Sequence, residues 1–266
     1  MTQLKNDKIR QAVAKQYSKV AEKQIASSGC STSCCDSEGE IDAKAASKQM
    51  GYTQAQVDMI PEGANMGLGC GNPREFAKIK KGETVLDLGS GGGFDCFLAS
   101  SEVGSDGKVI GVDMTPKMLS KARKNADSSQ FNNIDFRLGE IENLPVADNT
   151  VDVIISNCVI NLSPDKQQVF NEAYRVLKTG GRLAISDIVA TAVLPPKIQQ
   201  DMALFTGCMA GASQINDLEK MLKNAGFDEI KISPKDKSRE FIKHWAKTSK
   251  IEDFVVSANI EAVKNL

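Results

Sequence analysis

The chain has 266 residues, of which 41% are hydrophobic and 25% charged, and its 33 basic and 34 acidic residues leave a formal net charge of −1. This composition is typical of an ordinary soluble chain with one α/β domain or two small domains, and the charge balance argues against a nucleic-acid partner. The opening MTQLKNDKIR lacks the apolar core of a signal peptide, and no run of eighteen apolar residues follows. We therefore expect a cytoplasmic protein without a membrane partner, and a monomer by default.

Seven cysteines and a single histidine, His244, limit the chemistry that this sequence can support. In a reducing compartment the cysteines are expected to be thiols available to metals, metalloids or redox partners rather than disulfides. A Ser/His or Cys/His catalytic scheme would depend entirely on His244. We expect His244 and the adjacent Trp245 to be packing and surface residues.

Residues 1–79 are predicted to form a helical cap with cysteine-bearing loops. Apolar residues at three- and four-residue spacing over 7–24 predict an amphipathic helix that lies across the next domain as a lid. The segment SSGCSTSCCDSEG predicts a mobile loop that carries Cys30, Cys34 and Cys35. Cys70 lies between two glycines in GANMGLGCGN, where its thiol is expected to be accessible.

Residues 80–187 alternate apolar strands with helices, which is typical of a doubly wound parallel sheet. Its five strands are predicted at 85–88, 108–113, 134–139, 151–157 and 182–187. Residues 188–266 are predicted to begin with an aperiodic insertion over the site. A helix capped by Ser213 and two strands, around 228–232 and 254–262, are expected to follow. The predicted fold is therefore α/β, a seven-stranded Rossmann-like sheet with an N-terminal cap and an insertion after the fifth strand.

The stretch TVLDLGSGGGFD, residues 84–95, joins a buried strand to a helix through a glycine turn. Such a turn brings backbone N–H groups and a helix N-terminus up to a nucleotide-like ligand. The dinucleotide pattern G-x-G-x-x-G fails, because it would need glycine where Phe94 stands. The pattern D-x-G-x-G-x-G through Asp87, Gly89, Gly91 and Gly93 instead resembles the first motif of class I S-adenosylmethionine methyltransferases, whose cofactor has an ammonium group and no pyrophosphate. Taken alone, the stretch could equally be a tight connection.

Four segments, LDLGSGGGFD, IGVD, LGEIENLPVADNTVDVIISN and RVLKTGGRLAISD, together resemble the class I S-adenosylmethionine methyltransferases. The resemblance implies S-adenosylmethionine as cofactor, with Asp113 on the ribose hydroxyls and Met114 on the adenine. It implies that Glu140 and Ile141 read the adenine edge, although many members have Asp at the position of Glu140. The Asn157 backbone would contact the methionine part.

Three further segments, GLGCGNP around Cys70, ISNCVINLSPDK around Cys158 and GCMAGA around Cys208, resemble those of arsenite methyltransferases. The resemblance implies that the three thiolates hold trivalent arsenic, a soft element that prefers sulfur, with its lone pair facing the methyl donor. Cys158 would be the fixed ligand, while the other two cysteines arrive on loops. Orientation of the reactants can contribute about 7–11 kcal/mol, so the shortage of histidine is no handicap.

The implied substrate is arsenite or its thiol conjugates, with glutathione or a thioredoxin-like protein as the reductant. Cys30, Cys34 and Cys35 are either accessory thiols or an idle surface loop, and Cys96 is interpreted as a small core residue. Two other functions remain open. One is methylation of a small carbon acceptor such as a quinone or sterol, which needs a general base and an apolar cavity. The other is a thiol-rich metalloid-binding protein without catalysis.

Overall fold

The computed structural model describes residues 3–26, 42–129, 131–246 and 249–265. Cys30, Cys34 and Cys35 lie outside the described residues. Within the described ranges, no helix is both long enough and apolar enough to cross a membrane.

One mixed sheet forms the centre of the fold. Its strands are β1 (Thr84–Leu88), β2 (Lys108–Asp113), β3 (Ile134–Leu138), β4 (Val151–Asn157), β5 (Leu177–Ala190), β6 (Ser213–Gln214), β7 (Asp228–Lys235) and β8 (Val255–Val263). They are ordered β3-β2-β1-β4-β5-β8-β7, and the two-residue β6 pairs with β5. The first five strands are parallel, and β8 is antiparallel to both β5 and β7. The predicted seven-stranded sheet is confirmed, with β6 as a short addition.

Helices cover both faces of the sheet and its carboxyl edge. They are α1 (Gln3–Ala26), α2 (Ala43–Gln49), α3 (Gln54–Met59), α4 (Arg74–Ala77), α5 (Phe94–Val103), α6 (Pro116–Asp127), α7 (Lys166–Val176), α8 (Pro196–Gln199), α9 (Met202–Thr206), α10 (Ile215–Ala225) and α11 (Arg239–Ile242). Single 3-10 turns occur at Ile160–Leu162, Asp236–Ser238 and Ile251–Asp253. The predicted lid helix is the middle of α1, which buries Val13 and Val20 and contacts both α6 and α9.

The boundaries of two predicted elements were wrong. Ser213 does not cap a helix: it pairs with Val189 in the sheet, and α10 begins two residues later without a side-chain cap. The fifth strand is longer than predicted at both ends: it runs through Gly180 and Gly181 and continues past Asp187 to Ala190, within the predicted insertion. These glycines were interpreted as a helix stop, but their backbone groups bond to Lys264, which follows β8. In both places, backbone hydrogen bonds to a segment distant in the sequence decide the structure, whereas the local sequence pattern predicts a helix boundary.

The central strand β4 explains how the core positions the site. Val153, Ile154 and Ile155 are fully buried because helices cover both faces of the sheet here. Beyond the end of β4, a separate apolar cluster joins Val13 of α1 and Leu204 of α9 to the cysteines Cys70, Cys158 and Cys208. The segments before and after the central sheet therefore meet over the carboxyl end of β4.

Candidate functional site

A cavity of about 310 Å³ opens at the carboxyl ends of β1, β2 and β4. This is the edge at which open α/β sheets bind their ligands, and the volume is in the range of small-molecule sites. Seven of the nine residues predicted to bind the cofactor line it: Asp87, Gly89, Gly91, Asp113, Met114, Ile141 and Asn157. The sequence pattern therefore identified one wall of a real cavity.

The glycine turn after β1 allows the backbone to approach the cavity closely. Gly89 and Gly91 have φ angles of 71° and 52°, in the left-handed region that favours glycine. A Cβ at Gly89 would lie 2.5 Å from Val159, so the turn packs directly against the residue after Cys158. The Asp113 carboxylate accepts from the Gly91 N–H at 3.0 Å, which ties the turn to the end of β2 and leaves lone pairs for a hydroxyl ligand.

Two buried carboxylates face the cavity beside this turn. Burial, followed by the charge of Asp95, raises the pKa of Asp87 well above its usual value. Burial likewise raises the pKa of Asp95, although Arg74 opposes the shift. The thiol of Cys96 donates to Asp87 at 3.2 Å, so this core cysteine also supports the pair. A cationic group in the cavity would stabilise both carboxylates in their charged form.

Two of the predicted cofactor residues do not reach the cavity. A Cβ at Gly93 would lie 2.8 Å from Phe97 and Phe136, so this glycine serves helix packing instead. The Glu140 side chain is 47% exposed and forms an ion pair with Arg10 at 3.2 Å. Glu142, two residues later, lines the cavity and accepts from Ser163 at 2.7 Å. The segment GEIEN has two acids that are two residues apart, and the sequence pattern does not show which of them faces the cavity.

Three thiols converge at the end of β4. Cys158 is the first residue after the strand, and the Cys208 thiol donates to its carbonyl oxygen at 2.6 Å. The sulfurs of Cys70 and Cys158 and a carboxylate oxygen of Asp187 lie within 4.8 Å of one another. Cys158 and Cys208 line the cavity, with φ angles of 60° and 63°, a conformation that is costly for residues other than glycine and concentrates at functional sites.

Cys70 lies behind Cys158 rather than on the cavity wall. The expectation that its thiol is accessible was wrong, because the residue is only 2% exposed. Its N–H donates to the Asn157 side chain at 2.9 Å, and its carbonyl accepts from the Ser257 hydroxyl at 2.8 Å. These bonds fasten a glycine-rich loop to the sheet and bury the thiol next to Cys158.

Known proteins resemble this chain over most of its length. Residues 79–226 match a family model described as a methyltransferase domain. An arsenite methyltransferase of Halobacterium salinarum is 55% identical over 87% of this chain and 58% of that protein. The crystal structure of an arsenic(III) S-adenosylmethionine methyltransferase from Chlamydomonas reinhardtii is 31% identical, with a TM-score of 0.63, over 83% of this chain and 74% of that one. The chain belongs to the arsenite methyltransferase family.

The human member of the arsenite methyltransferase family is 43% identical over 152 residues, which cover 54% of this chain and 40% of that protein. The chain thus spans little more than half the length of the halobacterial relative and less than half that of the human one. Enzymes named demethylmenaquinone methyltransferase, from Listeria, match a shorter part, at 34% identity over 42% of this chain.

A buried polar network not predicted from the sequence supports the thiols of this family member. Asp187 accepts from the N–H groups of Ile160 and Ile188, at 2.9 and 2.7 Å, and from the Asn161 amide at 2.9 Å. Burial raises the pKa of Asp187 to about 6, although the N–H groups and nearby Lys166 oppose the shift. Since Asn161 lies three residues after Cys158, the network fixes the turn on which this thiol is carried. The sequence pattern predicted Asp187 only as the last residue of a strand.

The far wall of the cavity also went unrecognised in the sequence. The Tyr17 hydroxyl lies 3.8 Å from the Cys208 sulfur, so helix α1 reaches the thiols directly. Phe241, His244 and Trp245 line the same side. His244 is exposed, as expected of a surface residue, yet it borders the cavity. The sequence predicted only one part of this wall, the amphipathic helix α1 that covers the next domain.

The thiols of Cys70 and Cys158 should react slowly with iodoacetamide at neutral pH. Burial raises the pKa of Cys70, while contacts with Cys208 and Cys70 and then burial raise that of Cys158. Because the thiolate is the nucleophile, both labelling rates should rise about tenfold per pH unit from pH 7 to 9 without reaching a plateau. Mass mapping of each cysteine measures the rates. A plateau below pH 9 at either residue would contradict the prediction, and the unfolded protein supplies the reference curve.

Proposed function

We propose that this chain transfers the methyl group of S-adenosylmethionine to trivalent arsenic, a reaction that detoxifies arsenite. The observation that carries the proposal is the convergence of Cys70, Cys158 and Cys208 beside the cavity of the glycine turn. Relatives named arsenite methyltransferases support it.

The charged and apolar residues that line the cavity suit the charged and apolar groups of the cofactor. When bound, S-adenosylmethionine supplies an electrophilic methyl group on its sulfonium. The buried carboxylates Asp87 and Asp95 would favour its ammonium, and Asp113 would accept from the ribose hydroxyls. Met114 and Ile141 supply apolar surface for the adenine. Glu142, rather than the exposed Glu140, lies on the wall where the adenine edge would be read.

The thiols bind and orient the arsenic. Cys158 and Cys208 reach it from the cavity wall and Cys70 from behind, so the lone pair is left on the side open to the cavity. Each arsenic–sulfur bond replaces a hydroxyl of arsenite, and the thiol proton leaves with that hydroxyl as water. The raised thiol pKa values therefore do not prevent binding. The methyl transfer itself then depends on the orientation of the two reactants rather than on acid–base catalysis.

The three segments of the chain divide this work. Residues 80–187 hold the cofactor, and residues 1–79 contribute α1 and the Cys70 loop. Residues 188–266 cover the substrate side with Cys208 and the wall around Trp245. Together α1 and this wall would shield the reacting groups from water.

We further propose that a thiol reductant, glutathione or a thioredoxin-like protein, keeps the cysteines reduced, and that a monomer acts in the cytoplasm. All four cysteines among the described residues are free thiols, which suits a reducing compartment. Cys30, Cys34 and Cys35 would be accessory thiols that receive arsenic or reducing equivalents.

Incubation with arsenite, S-adenosylmethionine and glutathione should yield methylated arsenic and S-adenosylhomocysteine, identified by mass spectrometry. Calorimetry with S-adenosylmethionine alone should show binding in the same preparation. Binding of arsenite without any affinity for S-adenosylmethionine would favour the non-catalytic metalloid-binding protein. Cofactor binding with turnover of a quinone and no interaction with arsenite would favour the carbon methyltransferase.

A further inference from the structure

The Asn157 side chain connects the last residue of β4 to the loop that carries Cys70. Its Oδ1 accepts from the Cys70 N–H at 2.9 Å, and its Nδ2 donates to the Gly71 carbonyl at 2.7 Å. The amide thus pairs with a donor and an acceptor of adjacent residues, as a neighbouring strand would. This pattern also fixes the amide orientation, because a flipped amide would face two like groups.

The loop lies directly on this amide. Gly69 has a φ of 130°, and a Cβ there would approach the Asn157 amide to 2.7 Å. A Cβ at Gly71 would approach the Ser186 hydroxyl to 2.8 Å. The two glycines around Cys70 therefore let the loop sit against polar side chains of β4 and β5. Only glycine leaves enough room for the Asn157 bonds.

The amide is itself held from the other side. Its Nδ2 also donates to the Tyr52 hydroxyl at 3.1 Å, and Tyr52 donates to Asp95 at 2.8 Å. Burial raises the pKa of Tyr52, so this phenol stays protonated and keeps its donor. Both Nδ2 hydrogens of Asn157 are thereby used, and the chain of bonds ends at a carboxylate on the cavity wall.

We propose that the Asn157 side chain is the positioning residue that fixes Cys70 beside Cys158 and so makes it available as the third arsenic ligand. The backbone of the same residue belongs to the predicted cofactor site, but this role belongs to the amide alone. The part that concerns arsenic rests on the proposed function. The part that concerns the thiol pair does not.

The first test uses no arsenic. In Asn157→Ala, iodoacetamide should label Cys70 under native conditions at least about tenfold faster than in the unchanged protein, because two hydrogen bonds that hold the loop are lost. Cys96, buried in α5, is the internal control. Asn133→Ala is the matched variant, since Asn133 clamps Gly104 and Gly107 through its amide away from the cavity. Equal Cys70 rates in all three proteins would overturn the proposal.

The second test counts thiols protected by arsenite. Mass mapping should show that arsenite protects Cys70, Cys158 and Cys208 from labelling in the unchanged protein and in Asn133→Ala, but only Cys158 and Cys208 in Asn157→Ala. Protection of all three cysteines in Asn157→Ala would refute the positioning role, and so would two-thiol protection that omits Cys70 in the unchanged protein. No protection in any protein would instead refute the proposed function, and the first test would still decide whether Asn157 positions Cys70.

Discussion

Cys158→Ser should reduce arsenite methylation by more than about 100-fold while S-adenosylmethionine still binds. Removing a residue that supports a metal ligand costs about 10–100-fold. In the proposed function Cys158 is itself an arsenic ligand, and it contacts both of the other thiols. A serine hydroxyl is a hard, protonated oxygen at neutral pH and does not replace a thiolate on a soft element. Cofactor affinity should survive because the substitution is nearly isosteric.

Arsenic speciation by mass gives the rate of this variant, and calorimetry with S-adenosylhomocysteine gives its cofactor affinity. Cys96→Ser is the matched control. Among the described cysteines, Cys96 alone lies away from Cys70, Cys158 and Cys208, and a serine in its place can still donate to Asp87. It should bind arsenite as the unchanged protein does. Methylation by Cys158→Ser at more than a tenth of the unchanged rate would mean that this thiol does not hold the arsenic.

Gly89→Ala should cost about 2–5 kcal/mol of stability and abolish cofactor binding. The left-handed backbone accounts for about 1–2 kcal/mol, and the overlap of the new methyl group with Val159 for about 1–3 kcal/mol more. Because Val159 follows Cys158, the overlap should also displace this thiol. One methyl group thus disturbs both the cofactor and the thiol side of the site.

Gly82→Ala separates the two contributions. Gly82 has a φ of 82°, close to the 71° of Gly89, and lies in a tight turn, but a Cβ there meets nothing within 4 Å. It should lose only the backbone part, about 1–2 kcal/mol, and bind the cofactor normally. Urea unfolding and calorimetry with S-adenosylhomocysteine measure both variants. Equal losses of stability would show that the turn yields to the methyl group and that the packing on Val159 is unimportant.

Local patterns predicted the central part of the fold well. The apolar run at Val151–Asn157 matches β4 residue for residue, because a strand buried on both faces needs continuous apolar side chains. The errors lie where a distant partner decides. Serine is a preferred residue at the start of a helix, yet Ser213 pairs with Val189 and therefore lies in the sheet.

The site was predictable in its parts but not in its layout. The spacing of residues and the family resemblance predicted that Asp87, Gly89 and Gly91 lie at the cavity. This was possible because these residues are neighbours in the sequence and belong to one turn. The burial of Cys70 depends on Asn157 and Ser257, which lie 87 and 187 residues away along the chain. The Asp187 network and the wall around Trp245 likewise arise only when separate segments are packed together. A single sequence carries no local signal for such contacts.

The left-handed conformation of Cys158 and Cys208 has an evolutionary consequence. Glycine would suit the backbone better at both positions, by about 1 kcal/mol each, since a Cβ is disfavoured there. Folding alone therefore requires at most a small buried side chain at these positions and does not require a thiol. In a lineage no longer exposed to arsenic, we expect positions 158 and 208 to drift early, while Gly89 and the strands persist.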